Sequence, residues 1–155
     1  MQNLSSLDIK NFHSFPEGLD GIHNLKTLIV VGPMEGRDWS RFMPFNSLEV
    51  LKLHETGTNS LTQLPRQLEL LTSLRSLWIK SFNGIESLPE WLGNITSLET
   101  LELWCCRNLK NLPSKEAMSN LTRLNRLKVY KCSQLDIGEG SVEREKVSHV
   151  PDVCL

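Results

Sequence analysis

The sequence predicts an α/β solenoid: about six coils forming a horseshoe, with a parallel β-sheet on the concave face and short helices or irregular turns on the convex face. Two recurring motifs and one alternation carry that prediction. The pattern L-x-x-L-x-[LIV] starts at Leu4, Leu25, Leu48, Leu74, Leu98 and Leu124, reading LSSLDI, LKTLIV, LEVLKL, LRSLWI, LETLEL and LNRLKV. These starts lie 21, 23, 26, 24 and 26 residues apart. A second signature sets a leucine or phenylalanine before Pro16, Pro65, Pro89 or Pro113 and follows it with an apolar segment. Proline ends the preceding extended run and pre-sets the first helical turn, so this signature returns the chain along the convex side.

The motif and its period are those of a leucine-rich repeat. One coil cannot bury its own leucines, so coils must stack into a continuous core. Each buried leucine contributes roughly 1.5–3 kcal/mol, largely offset by chain ordering. Within a strand, alternate residues face opposite sides, so in LETLEL the side chains of Leu101 and Leu103 point inward while Thr100, Glu102 and Trp104 point outward. The repeat region spans residues 1–135 and a charged tail or cap spans 136–155. Residues 30–47 depart from the pattern, with no L-x-x-L-P step and many Gly, Pro and charged residues. There Phe42 and Phe45 are expected to stand in for missing leucines, with Trp39 on a bulged loop.

Composition narrows the function classes. Seventeen Lys and Arg against 18 Asp and Glu give a net charge of −1, which supplies no global attraction to nucleic acid or anionic lipid. No apolar run approaches the ~20 residues that cross a bilayer, and the first residues, MQNLSSLDIK, show no secretory signal. The four cysteines are then expected as reduced thiols, and the sequons at Asn3, Asn94 and Asn120 as unglycosylated. Metal ligation would want paired C-x-x-C motifs or an H-E-x-x-H, and neither occurs. His13, His23, His54 and His149 show no triad or ligand spacing, and there is no G-x-S-x-G, so no enzyme, cofactor or metal is expected.

The adjacent cysteines in WCCRNL have a turn explanation. Three residues beyond the last core position of each strand lie Phe12, Pro33, Thr56, Phe82, Cys106 and Cys132. A thiol packs there as a small hydrophobe with a weak donor. Cys105 falls just outside, at the exposed end of its strand.

The outward positions define a candidate binding face. In coil order they are Ser6, Asp8, Lys10; Thr27, Ile29, Val31; Val50, Lys52, His54; Ser76, Trp78, Lys80; Thr100, Glu102, Trp104; and Arg126, Lys128, Tyr130. Trp78, Trp104 and Tyr130 sit on neighbouring strands, and tryptophan and tyrosine are enriched at binding hot spots. The candidate partner-binding set is Trp78, Lys80, Trp104, Tyr130, Lys128, His54, Lys52, Glu102 and Arg126, receiving acidic and apolar groups of a protein. The alternative is that the rings stack on one another and on lysine stems, covering the sheet without a partner. Trp91, in LPEWLGNI, is expected half-buried on the convex side. Neither nucleic acid nor membrane is an expected partner.

Two stretches carry a family resemblance. LTSLRSLWIKSFNGIESLPEWLGNITSLETLELWCCRNLKNLP, residues 71–113, and NLTRLNRLKVYKCSQL, residues 120–135, resemble the C-terminal repeats of intracellular plant disease-resistance proteins, in which a nucleotide-binding domain precedes leucine-rich repeats. The tail GEGSVEREKVSHVPDV is similar to the G-E-D-W-x-K-I-x-H-I-P ending of their coiled-coil class, with Lys146, Val147, His149, Val150 and Pro151 at matching positions and Arg144 in place of the tryptophan. The resemblance implies a recognition module of an immune receptor in the cytoplasm, or shared between cytoplasm and nucleus. Its implied partner is a pathogen effector, a guarded host protein, or the parent receptor's nucleotide-binding domain, whose switch it would help hold inactive. The chain itself has no G-x-x-x-x-G-K-[ST] loop for nucleotide. Its first coil lacks a polar cap, which leaves self-association through that coil open. The alternative function is a general intracellular repeat scaffold, whose known forms keep a steadier 23-residue period. Extracellular receptors of this repeat type use an asparagine turn and a G-x-I-P step, both absent here.

Overall fold

The computed structural model describes residues 4–11, 14–42 and 45–155, with backbone only at positions 20, 41 and 42. Each L-x-x-L-x-[LIV] motif ends in a strand: β1 (Ser6–Lys10), β2 (Thr27–Gly32), β3 (Val50–Glu55), β4 (Ser76–Lys80), β5 (Thr100–Trp104) and β6 (Arg126–Tyr130). A seventh, β7 (Asp152–Cys154), comes from the tail. All pair in parallel, in chain order, as one sheet. The register is strict: Leu28, Leu51, Leu77, Leu101 and Leu127 lie side by side, as do Val30, Leu53, Ile79, Leu103 and Val129. A one-residue slip would turn every leucine to solvent, so burial holds the register.

Each strand is entered the same way. The carbonyls of Ser5, Lys26, Glu49, Arg75 and Glu99 each accept two successive N–H groups from the next coil. The residues supplying those carbonyls also form a charge ladder along the rim. Lys26 pairs with Glu49 at 2.8 Å, and Arg75 with Glu99 at 3.4 Å. The pairing with Lys26, first through its hydrogen bond, lowers the Glu49 pKa.

The convex side is built from short turns. Pro65 and Pro89 cap the 3-10 segments Arg66–Leu70 and Glu90–Asn94 in extended conformation, as their fixed φ requires. In the next coil Pro113 is followed by Ser114, whose hydroxyl accepts the Ala117 N–H and caps α1 (Lys115–Ser119). Leu68, Leu92 and Met118 are fully buried in these three segments. Gly93 permits the close stacking: a Cβ there would lie 2.5 Å from the Ala117 carbonyl oxygen.

The irregular second coil differs from expectation. Trp39 is not on a bulged loop; it opens the 3-10 segment Trp39–Phe42 and is 6% exposed, its ring edge-on to Phe15 at 5.3 Å. Phe45 is fully buried, whereas the Phe42 side chain lies outside the described residues. With no L-x-x-L-P step available, a large indole fills the volume that leucines fill elsewhere.

The tail packs onto the convex side of the fifth coil and adds a strand beside the sixth. Helix α2 (Val142–Lys146) carries Glu143, whose carboxylate accepts the Leu112 N–H at 2.7 Å and pairs with Lys146 at 2.9 Å. Lys146 also donates to the Leu112 carbonyl. Glu143 and Lys146 thus replace, for Leu112, the strand partner that a further coil would supply. Val147 and Val150 are buried beside them, and His149 reaches the Leu121 carbonyl.

Two stability outcomes are expected. Leu101→Ala, at a fully buried rung, should cost about 2–5 kcal/mol in chemical denaturation, against less than about 1 kcal/mol for the same change at Leu70, which is 44% exposed. Glu143→Ala strands a largely buried ammonium and a peptide N–H and should cost about 3 kcal/mol. Glu143→Gln keeps an acceptor for Leu112 and should cost less.

Candidate binding face

The strand register aligns the outward side chains into three rows. The first is small or short until its end: Thr27, Val50, Ser76, Thr100, Arg126 and Asp152. The second runs Ile29, Lys52, Trp78, Glu102, Lys128, Cys154, and the third Val31, His54, Lys80, Trp104, Tyr130. Trp78 therefore lies in a different row from Trp104 and Tyr130, and the rings form a diagonal ladder. Their centroids are 5.7 Å apart from Trp78 to Trp104 and 4.9 Å from Trp104 to Tyr130, tilted by 58° and 56°. These separations are those of attractive aromatic pairs, worth about 0.5–1.5 kcal/mol each.

Lysines occupy the ring faces. The ammonium groups of Lys52 and Lys80 sit 5.6 and 5.8 Å from the Trp78 ring, and that of Lys128 sits 4.5 Å from Trp104. A fourth cation was not expected from the sequence: Lys131 lies 5.2 Å over Tyr130. Each such contact is worth about 0.5–1 kcal/mol at an exposed site. The ring-on-ring and ring-on-lysine packing read as the alternative from sequence is therefore present, and it packs the side chains of the candidate face against one another. Tyr130 remains 38% exposed at the ladder's open end.

Lys131 reaches Tyr130 because of the turn. Asn11, Ser81, Cys105 and Lys131, each one residue past its strand, have φ of 49°, 63°, 56° and 54°. In this left-handed conformation Ser81 and Cys105 donate their N–H groups to the carbonyls of Trp104 and Tyr130. Left-handed backbone costs a non-glycine residue about 1–2 kcal/mol, and these bonds offset it. Cys105 is thus a turn residue. Cys106 and Cys132, one position on, are buried, and their thiols donate to the carbonyls of Ile79 and Leu103. The neighbouring Cys132 thiol, followed by burial, pushes the Cys106 pKa up.

Two expected turn residues are corrected. Thr56 is exposed, and in its coil Glu55 is buried instead. In the preceding coil Pro33 is half-buried and Met34 takes the core position. Here β2 and β3 run one residue longer than their neighbours, without a left-handed exit. The Glu55 carboxylate accepts the N–H groups of Met34 and Gly57. That contact joins two loops far apart in sequence, which explains why local spacing did not reveal it. Phe12 lies outside the described residues.

Two acids beside the ladder make contacts within the chain. Glu102 accepts the Trp104 indole N–H at 3.2 Å. Arg126, placed in the binding set, pairs with Asp152 of the tail at 2.8 Å. Lys52, Lys80 and Lys128 have no ion-pair partner among the described residues. His54 lies beside Lys80 in register, and burial first and Lys80 second lower its pKa. Trp91 is half-buried in a groove of about 570 Å3 with Arg66 and Glu86, away from this sheet. Among the described residues no group of three His, Cys, Asp or Glu could hold a metal ion, and no helix is long and apolar enough to cross a membrane.

Sheet, period and turns define a leucine-rich-repeat domain, a protein-interaction scaffold. The family described as R13L1/DRL21 LRRs matches residues 54–132, just over half of the chain, and the chain belongs to that family. The match covers β4, β5 and β6, and with them the whole aromatic ladder. Among solved structures, the chain is similar to the leucine-rich-repeat domain of the type III effector XopL, at 15% identity and a TM-score of 0.51, over 99% of this chain and 77% of that one. It is also similar to an internalin, inlF, from Listeria monocytogenes, at 17% identity and a TM-score of 0.45, over 99% of this chain and 54% of that one. The first likeness is one of fold alone. A search of curated proteins finds no match.

The His54 shift sets a pH dependence. Its folded pKa lies below the ordinary value near 6.5, so the unfolded chain takes up the proton first as pH falls. The contribution of His54 to stability is therefore present above pH 6.5 and lost below it. Wild type should lose more stability than His54→Gln between pH 7.5 and 5.5, measured as the difference in denaturation midpoints.

Proposed function

We propose that this chain is the protein-recognition module of a plant immune receptor and that its partner docks on the concave face over Trp78, Trp104 and Tyr130. The observation that carries this reading is the ladder itself: three adjacent rings on a rigid parallel sheet, inside the segment that matches the R13L1/DRL21 repeats. The partner is a pathogen effector, a guarded host protein, or the nucleotide-binding domain of a parent receptor, and in the last case the contact contributes to autoinhibition. The role is binding without catalysis, and its place is the cytoplasm, or cytoplasm and nucleus.

Rigid aromatic side chains suit this work because they supply a large contact area while losing little rotamer freedom. The neighbouring rows give the partner a graded environment, from the short side chains of Ser76 and Thr100 to the cationic ladder.

The test is a Trp78→Ala/Trp104→Ala double variant. It should keep the circular dichroism and cooperative unfolding of the wild type, since both rings lie outside the leucine core. Calorimetric titration of a candidate effector or nucleotide-binding domain that binds wild type should show at least a hundred-fold weaker affinity, about 2.7 kcal/mol. Unchanged affinity rejects this face as the binding site.

A further inference from the structure

We infer that the ladder recognises an extended peptide segment of the pattern acidic–x–apolar–x–acidic, lying across the strands. The two acids draw the lysine ammonium groups off the ring faces, and the apolar side chain takes the uncovered place. This inference rests on the protein-binding reading and names the chemistry of the segment bound.

The argument begins with charge. Lys52, Lys80 and Lys128 lack ion-pair partners among the described residues, while Asp152 is paired with Arg126 and Glu102, beside Lys128 in register, accepts the Trp104 indole N–H. Among the outward residues of β3 to β6 an acidic partner therefore meets three unpaired ammonium groups against the single carboxylate of Glu102, so the ladder favours acidic segments over basic ones. Next comes geometry. Lys52 on β3 and Lys128 on β6 are three strands apart, about 14 Å at the usual strand spacing. Four residue steps of an extended chain cover about 13 Å, and alternate residues face the same side. Two acids four positions apart thus reach both lysines, with the central residue over Trp78 and Trp104.

The third consideration is the lysines' position. Each ammonium now lies at a ring face, where it covers apolar surface while remaining hydrated. A carboxylate offers a better partner than a ring, and moving the ammonium toward it opens the indole. Charge and apolar contact are then recognised together, so a purely apolar or purely acidic segment gains only part of the binding.

The probe is a blocked peptide reading aspartate, serine, phenylalanine, serine, aspartate, titrated into the full chain by calorimetry at low salt. Two relatives serve as comparisons, with asparagine or with lysine in place of aspartate. The aspartate peptide should bind about ten-fold more tightly than the asparagine peptide, and the difference should shrink in 0.5 M salt. A Lys52→Glu/Lys128→Glu variant, with unfolding unchanged because both side chains lie on the surface, should prefer the lysine peptide. Equal binding of the aspartate and asparagine peptides overturns the proposal, as does a charge-reversed variant that still prefers aspartate. Failure of the aspartate peptide to bind at millimolar concentration, or tighter binding of a single-stranded oligonucleotide, also overturns it. If a protein partner is lost in the double tryptophan variant yet indifferent to charge reversal, the acidic pattern falls and the protein-binding reading stands.

Discussion

A leucine in this chain is buried only when its coil stacks on the next. That constraint governs the rest of the structure. Burial of each rung requires its neighbour in register, and register brings the strand-entry carbonyls opposite the N–H groups of the following coil. Hydrophobic contact and backbone hydrogen bonding therefore select the same alignment. At the tail the constraint is met differently, by Glu143 and Lys146 on Leu112 of the fifth coil and by the short strand β7 on β6. At the other end Leu4 and Leu7 are only partly buried, whereas their counterparts Leu25 and Leu28 are fully so.

The same alignment composes the concave face. Outward residues far apart in sequence become lateral neighbours because their coils share one register, so a tryptophan in each of two repeats and a tyrosine in a third become a contiguous ladder. The left-handed exits of β4, β5 and β6 then fold the following residues back beside it, which carries Lys131 onto Tyr130. Where the exit changes, as in β2 and β3, no tryptophan, tyrosine or phenylalanine stands on the outward face of those strands, and a buried carboxylate holds the loops instead. The ladder belongs to the regular half of the solenoid.

Electrostatics on this face follow from which charges the fold itself uses. Lys26, Glu49, Arg75 and Glu99 neutralise one another along the rim, and Arg126 is held by the tail. Lys52, Lys80 and Lys128 lie against rings and form no ion pair among the described residues. A chain with a net charge of −1 can therefore present a cationic wall. Because the rings pack on one another before any partner arrives, little ordering remains to oppose binding.

By itself the sequence determined the repeat, the inward and outward alternation, and the residues of the ladder, because period and alternation are local properties that a strand must obey. The buried places of Phe82, Cys106 and Cys132 were legible for the same reason. Only the tertiary structure decided that Trp39 lies in the core against Phe15, that Glu55 replaces Thr56 at its turn, and that the tail supplies a strand whose Asp152 engages Arg126. Each of these depends on a contact between coils twenty or more residues apart, where the irregular lengths of the loops leave no period to read.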